Sequence, residues 1–190
     1  GTLKVPLYFE QYEDLIEDEA AETLYTGAFS GYMGLMILMS LIIVAINSDK
    51  NYLLYGIYIL ANLGLTLNLH GLLFRWIWPS APEWNQVSTN LFSYTLIYFQ
   101  LVFVCSYIKL ENGYVKIASD VLKMAAMVGL MISLIPQWYM PLSKISGVFI
   151  LFANFFCFYL AVGYWFNNKS QLKGEMYFAL AWLVMALGVS

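Results

Sequence analysis

Six long apolar stretches, each nearly free of charge, constrain this chain more than any other feature. They are Tyr25–Ile46, Tyr52–Phe74, Val87–Ile108, Ile117–Pro136, Leu142–Phe166 and Met176–Ser190. A membrane-spanning helix needs about 20 mostly apolar residues, because each rises about 1.5 Å against a hydrocarbon core of about 30 Å. The first three stretches contain no Asp, Glu, Lys or Arg. The fourth has Asp120 and Lys123 near its start, and the fifth has Lys144 near its edge. The sixth is too short to cross, and Trp182–Val189 stays apolar with no stop signal. It is expected to continue past residue 190. Residue 1 is Gly rather than Met and nothing resembles a signal peptide, so a piece of a longer chain is expected.

Composition excludes the alternatives. Charged residues make up 11% of the chain, against about a quarter in soluble domains, and apolar types 61%. So few charges cannot coat a water-facing surface, and disorder needs the opposite balance. Nine Lys+Arg against twelve Asp+Glu give a net charge of −3, which excludes a nucleic-acid partner. The expected fold is all-α: a polytopic transmembrane helix bundle with six spans visible of seven, its partner being the lipid bilayer.

The polar connections, 47–51, 75–86, 109–116, 137–141 and 167–175, are short, so successive helices should be antiparallel neighbours. Trp76, Trp78, Trp84, Trp138 and Tyr139 then fall at one membrane face, as an interfacial aromatic belt. Lys50, Lys109, Lys116, Lys123, Lys169 and Lys173 fall at the other, against Lys4, Arg75 and Lys144. The positive-inside rule puts the six lysines in the cytoplasm and the N-terminus outside.

Residues 1–24 read as an extracytoplasmic juxtamembrane linker and 25–190 as the bundle, incomplete at its C-terminal end. Seven acids, Glu10, Glu13, Asp14, Glu17, Asp18, Glu19 and Glu22, occupy thirteen residues. Tyr12, Leu15 and Ile16 between them approach helical spacing, which suits a solvated helix leading into the first span. Their spacing does not match a calcium loop. Val5-Pro6-Leu7-Tyr8-Phe9 before them reads as a strand end.

Residues with chemical potential are few. His70 is the single histidine, so a multi-histidine metal site within the chain is excluded. It reads as a hydrogen-bonded interfacial residue, with a pH-sensing or ligand-contacting role as the alternative. Asp120 and Lys123 are three apart on one helix face and can pair near the interface. Asn62, Asn68, Gln100 and Asn154 are uncharged polar groups within spans, where such residues join helices at about 0.6 kcal/mol each. Gly27-x-x-x-Gly31, and Ala125, Gly129 and Ser133 at intervals of four, permit close helix contact, within the bundle or along a homodimer seam. Cys105 and Cys157 lie within spans and form no CxxC. No catalytic trio, HExxH, P-loop or nucleotide loop is present, so this segment is expected to be no enzyme and to need no cofactor.

Several stretches resemble the transmembrane region of the bacterial seven-transmembrane receptors with diverse intracellular signalling modules. Gly71-x-x-Phe74-x-x-Ile77-Trp78-Pro79 is similar to the Gly…Leu-Trp-Pro stretch that leaves that family's second span. Lys50-Asn51-Tyr52-Leu53-Leu54-Tyr55 is similar to its start. Tyr25–Gly31 resembles the Gly-rich first span, with Met39-Ser40 where the family often has Tyr-Asn. Val5-Pro6-Leu7 before an acidic helix resembles the junction after a β-rich sensor domain, and Tyr177–Trp182 resembles the sixth span. The resemblance implies a signalling relay in the bacterial inner membrane. Its partners would be the chain's own N-terminal sensor domain and a C-terminal output domain of histidine kinase, diguanylate cyclase or phosphatase type. The alternative is a small-solute transporter or channel, with His70, Asp120, Lys123 and Asn154 converging on one path.

Overall fold

A computed structural model of the chain describes residues 12–110 and 113–167. The expected strand end at residues 5–9 and the sixth apolar stretch lie outside them. Among the described residues every regular element is helical.

Helix α1 runs unbroken over Tyr12–Asn47, 36 residues. From Tyr12 onward the acidic segment and the first span are therefore one rod. At about 1.5 Å per residue it is about 54 Å long, well beyond the roughly 30 Å of a bilayer core. Its apolar portion is Thr23–Asn47. Ser48 turns the chain with φ 53°, and Asp49 caps α2 (Lys50–Leu69) by accepting from the Asn51 backbone N–H at 2.9 Å.

The second span stops five residues earlier than the expected Phe74. Gly71 takes the left-handed conformation, φ 71°, that closes a helix and that residues with a Cβ adopt at a cost. Its N–H bonds back to the Asn68 carbonyl at 3.0 Å. A short helix α3 (Leu72–Trp76) follows, then α4 (Pro82–Ile108) with proline in its first turn, where no backbone donor is lost. Lys109, φ 52°, ends α4.

Helix α5 covers Tyr114–Ser133 rather than Ile117–Pro136. Pro136 opens a 3-10 turn with Gln137 and Trp138 instead, because proline disfavours helical backbone in the residue before it. Helix α6 is Tyr139–Asn167, with Pro141 tolerated in the first turn.

Four of these helices are long and apolar enough to cross a membrane: α1 over Thr23–Asn47, α2, α4 over Glu83–Ile108, and α6 over Tyr139–Tyr164. Helix α5, which carries Lys116, Asp120 and Lys123, is not among them.

Helix α4 is the hub: α2, α5 and α6 all pack on it, while α1 packs chiefly on α2. Half of α4's apolar window is buried inside the bundle, against 11% for α1. Ile97, Leu101 and Val104 of α4 are fully buried, in one cluster with Ala126, Ala153 and Cys157. Outward-facing Leu35, Leu38, Ile42, Phe152 and Phe155 are exposed, as a lipid solvent allows. The result is an all-α multi-pass membrane bundle with two distinguishable ends. One carries Trp76, Trp78, Trp84 and Trp138, and is called the tryptophan end. The other carries Lys50, Lys109 and Lys116, and is called the lysine end.

Candidate functional site

Among the described residues, the side-chain hydrogen bonds between helices fall at several separate contacts. At the tryptophan end Asn68 of α2 is buried and its amide meets three partners on α4. Its Nδ2 donates to the Asn85 carbonyl at 3.1 Å and to Thr89 Oγ1 at 2.6 Å, and its Oδ1 accepts from Ser88 Oγ at 3.0 Å. Asn85, Ser88 and Thr89 stand at helical spacing, so one face of α4 presents all three. Trp78 and Trp84 meet edge to face beside them, ring centroids 6.5 Å apart. The Gly71–Pro79 stretch is thus a folded connection rather than a loose loop.

Deeper in the bundle, Gln100 of α4 donates to Asn154 of α6, and Asn90 of α4 donates to the Tyr139 carbonyl at 3.1 Å. Tyr94 of α4 lies against Gly129 of α5. A Cβ on Gly129 would stand 2.2 Å from a ring carbon, so only glycine permits this approach. Toward the lysine end Cys105 Sγ and Ser119 Oγ are 2.8 Å apart between α4 and α5. Ser106 donates to Asn51 of α2 at 2.6 Å.

Helix α1 meets α2 most closely through Ser40. Its hydroxyl donates to the Tyr52 carbonyl, and a Cβ on Gly56 would come 2.8 Å from it. Toward the tryptophan end there is open space beside α1, with no described atom within 4 Å of a Cβ placed on Gly27 or Gly31. A cavity of about 490 Å³ lies there, lined by Thr23, Thr26, Gly27 and Ser30 of α1 and by His70 and Arg75 at the end of α2 and in α3.

These placements revise the small-residue reading in one respect and locate the rest. Ala125 is exposed; the buried face of α5 is Ser119, Ala126, Gly129 and Ser133. A helix turns about 100° per residue, so the stripe that holds Gly129 and Ser133 runs through Ala126. Gly27 and Gly31 have no described atom within 4 Å of a built Cβ. Asp120 and Lys123 pair at 3.1 Å on an outward face of α5. His70 is exposed at the tryptophan end, and Asn154 is buried against Gln100. The four residues of the transport alternative thus occupy three separate places, and the described residues do not join them in one cavity. Among the described residues no three His, Cys, Asp or Glu side chains are grouped to hold a metal.

Of the four residues read as helix-joining groups, Asn68, Gln100 and Asn154 make such bonds, while Asn62 is half-buried on α2. Sequence reasoning missed Ser40, Asn85, Ser88, Thr89 and Ser119. The 3–4 spacing of Asn85, Ser88 and Thr89 was the available signal; nothing in the sequence pairs Ser40 with α2 or Ser119 with Cys105.

A family model described as 7TM diverse intracellular signalling matches residues 22–190. No curated protein and no solved structure matches the chain.

Proposed function

Because the chain belongs to the 7TM diverse intracellular signalling family, we propose that this bundle is the relay of a bacterial receptor. In this reading it lies in the inner membrane with its N-terminus outside. A sensor domain before it binds a ligand, and a cytoplasmic histidine kinase, diguanylate cyclase or phosphatase after it responds. The bundle itself catalyses nothing.

The observation that carries the reading is the form of α1. One unbroken helix reaches from within the acidic segment, at Tyr12, through the first apolar span. It is pinned to α2 at Ser40 and Gly56 and is separated from it by the cavity at the other end. A load applied beyond the membrane therefore tilts a rod about a fixed contact. A ligand shifts such a bundle only by its differential affinity for two packings, and a rod with free volume beside one end has two packings open to it. The separation of Lys50, Lys109 and Lys116 from the tryptophan end supports the orientation.

The test is the full native chain. A sensor domain before residue 1 and a kinase, cyclase or phosphatase domain after a seventh span support the reading. A native chain comprising the bundle alone, with solute flux in proteoliposomes, overturns it in favour of transport.

A further inference from the structure

A second cavity, of about 220 Å³, lies at the lysine end between the start of α2 and the end of α4. Asp49, Asn51, Tyr52, Tyr55, Phe103 and Tyr107 line it. Four of the six are aromatic and one is a carboxylate. The Tyr55 and Phe103 rings are 5.4 Å apart and inclined at 47°; Phe103 and Tyr107 are 6.2 Å apart at 45°. Rings so inclined enclose a concave space instead of stacking flat. Asn51 accepts from Ser106 across the two helices, and Asp49 accepts from the Asn51 backbone, so the carboxylate is fixed relative to both walls. An ionised carboxylate has about four acceptor positions, and this bond uses one.

Aromatic faces carry negative charge density and attract a cation within about 6 Å of the ring centre. A carboxylate among them reinforces that preference and disfavours an anion. A bare metal ion is a poorer fit, because among the described lining residues Asp49 is the single charged oxygen donor. Interfacial tyrosines alone are ordinary, but a belt does not need a fixed acid lining the same cavity. We propose that this cavity binds an alkylammonium group. Lys50 follows Asp49 and Lys109 stands two residues beyond Tyr107. These lysines neighbour lining residues in sequence, which suits the phosphate of an ethanolamine lipid headgroup whose ammonium enters the cavity. A free amine solute shares the ammonium chemistry but leaves the lysines unused.

The test uses the full chain in phosphatidylglycerol nanodiscs, titrated with choline and with ethanolamine by calorimetry. Parallel discs contain phosphatidylethanolamine, and native mass spectrometry reads the lipid retained. Preferential retention of phosphatidylethanolamine identifies the headgroup as the source; saturable choline or ethanolamine binding in phosphatidylglycerol identifies a free amine. In either case Asp49→Asn, which keeps a side chain able to cap α2, should weaken binding by about tenfold. Tyr107→Leu should do the same, and Tyr107→Phe should bind as the native chain does. If Tyr107→Leu loses helical content by circular dichroism, Tyr52→Leu, at a more exposed ring, replaces it. Absence of both kinds of binding, or binding that Asp49→Asn and the folded Tyr→Leu variant leave unchanged, overturns the proposal.

Discussion

Gln100 of α4 donates from Nε2 to Asn154 Oδ1 of α6 at 2.8 Å, with both side chains buried. No water is present in a bilayer core to replace a lost partner. Removing either amide therefore leaves the other unsatisfied, while removing both leaves an apolar contact. Gln100→Leu and Asn154→Leu should each destabilise the bundle more than half as much as the pair together. The coupling energy in a double-mutant cycle should be about 0.6 kcal/mol, with a ceiling of about 1.7 kcal/mol. Reversible unfolding in detergent or bicelles measures it; additive single effects would show that the two amides act independently.

The Gly129–Tyr94 contact sets a steric limit. Gly129→Ala puts a methyl group 2.2 Å from the Tyr94 ring and should cost about 1–3 kcal/mol. Gly129→Ala in a Tyr94→Leu background should cost less, because the ring is gone. Gly31→Ala, with no described atom near its Cβ, should be neutral or stabilise by up to about 1 kcal/mol through helix propensity. Unfolding midpoints of the three variants in one detergent give the comparison.

Lever transmission predicts different phenotypes at two places on α1 and α2. Ala21→Pro breaks the rod where it leaves the membrane. Gly56→Ala crowds the Ser40 contact from α2. Both should leave membrane insertion intact and change the basal output of the full-length receptor several-fold, read as autophosphorylation or cyclic dinucleotide level. Unchanged output in both variants would remove α1 from the relay.

The turn after α2 depends on Gly71. Its φ of 71° costs an L residue about 1–2 kcal/mol. Gly71→Val should lower the thermal midpoint measurably, and Gly71→Asn should recover part of the loss, because asparagine tolerates this region better than other L residues. Equal midpoints for Val and Asn would mean that the backbone there relaxes.

Orientation is open to labelling. In a Cys105→Ser/Cys157→Ala background, a cysteine at Ser48 should react with an impermeant maleimide only after the cells are opened. A cysteine at Ser80 should react in intact cells. The reverse pattern would invert the bundle.

The sequence by itself determined the class of fold. Where a bilayer is the solvent, every backbone group must be satisfied within its own segment, so an uncharged run of sufficient length has one outcome, a helix. That logic located α2, α4, α6 and the apolar portion of α1 to within about five residues at each end. It failed at the boundaries where backbone conformation decides: the left-handed Gly71 cut α2 short, and Pro136 excluded itself from α5. The acidic helix expected to lead into the first span is continuous with it from Tyr12, because hydropathy changes at Thr23 while the backbone does not.

Only tertiary structure decided which polar residues meet. Local periodicity places Asn154 on a helix and marks it as a joining group, but its partner, Gln100, lies 54 residues away. The same holds for Ser40 with Tyr52, Cys105 with Ser119, and the four rings that line one cavity with Asp49. Such pairings depend on the rotation and register of whole helices, fixed by the sum of many weak contacts along α4. One member of the α5 stripe displaced by a residue, from Ala125 to Ala126, marks the limit of what a spacing rule resolves, because one residue is about 100° of helix rotation.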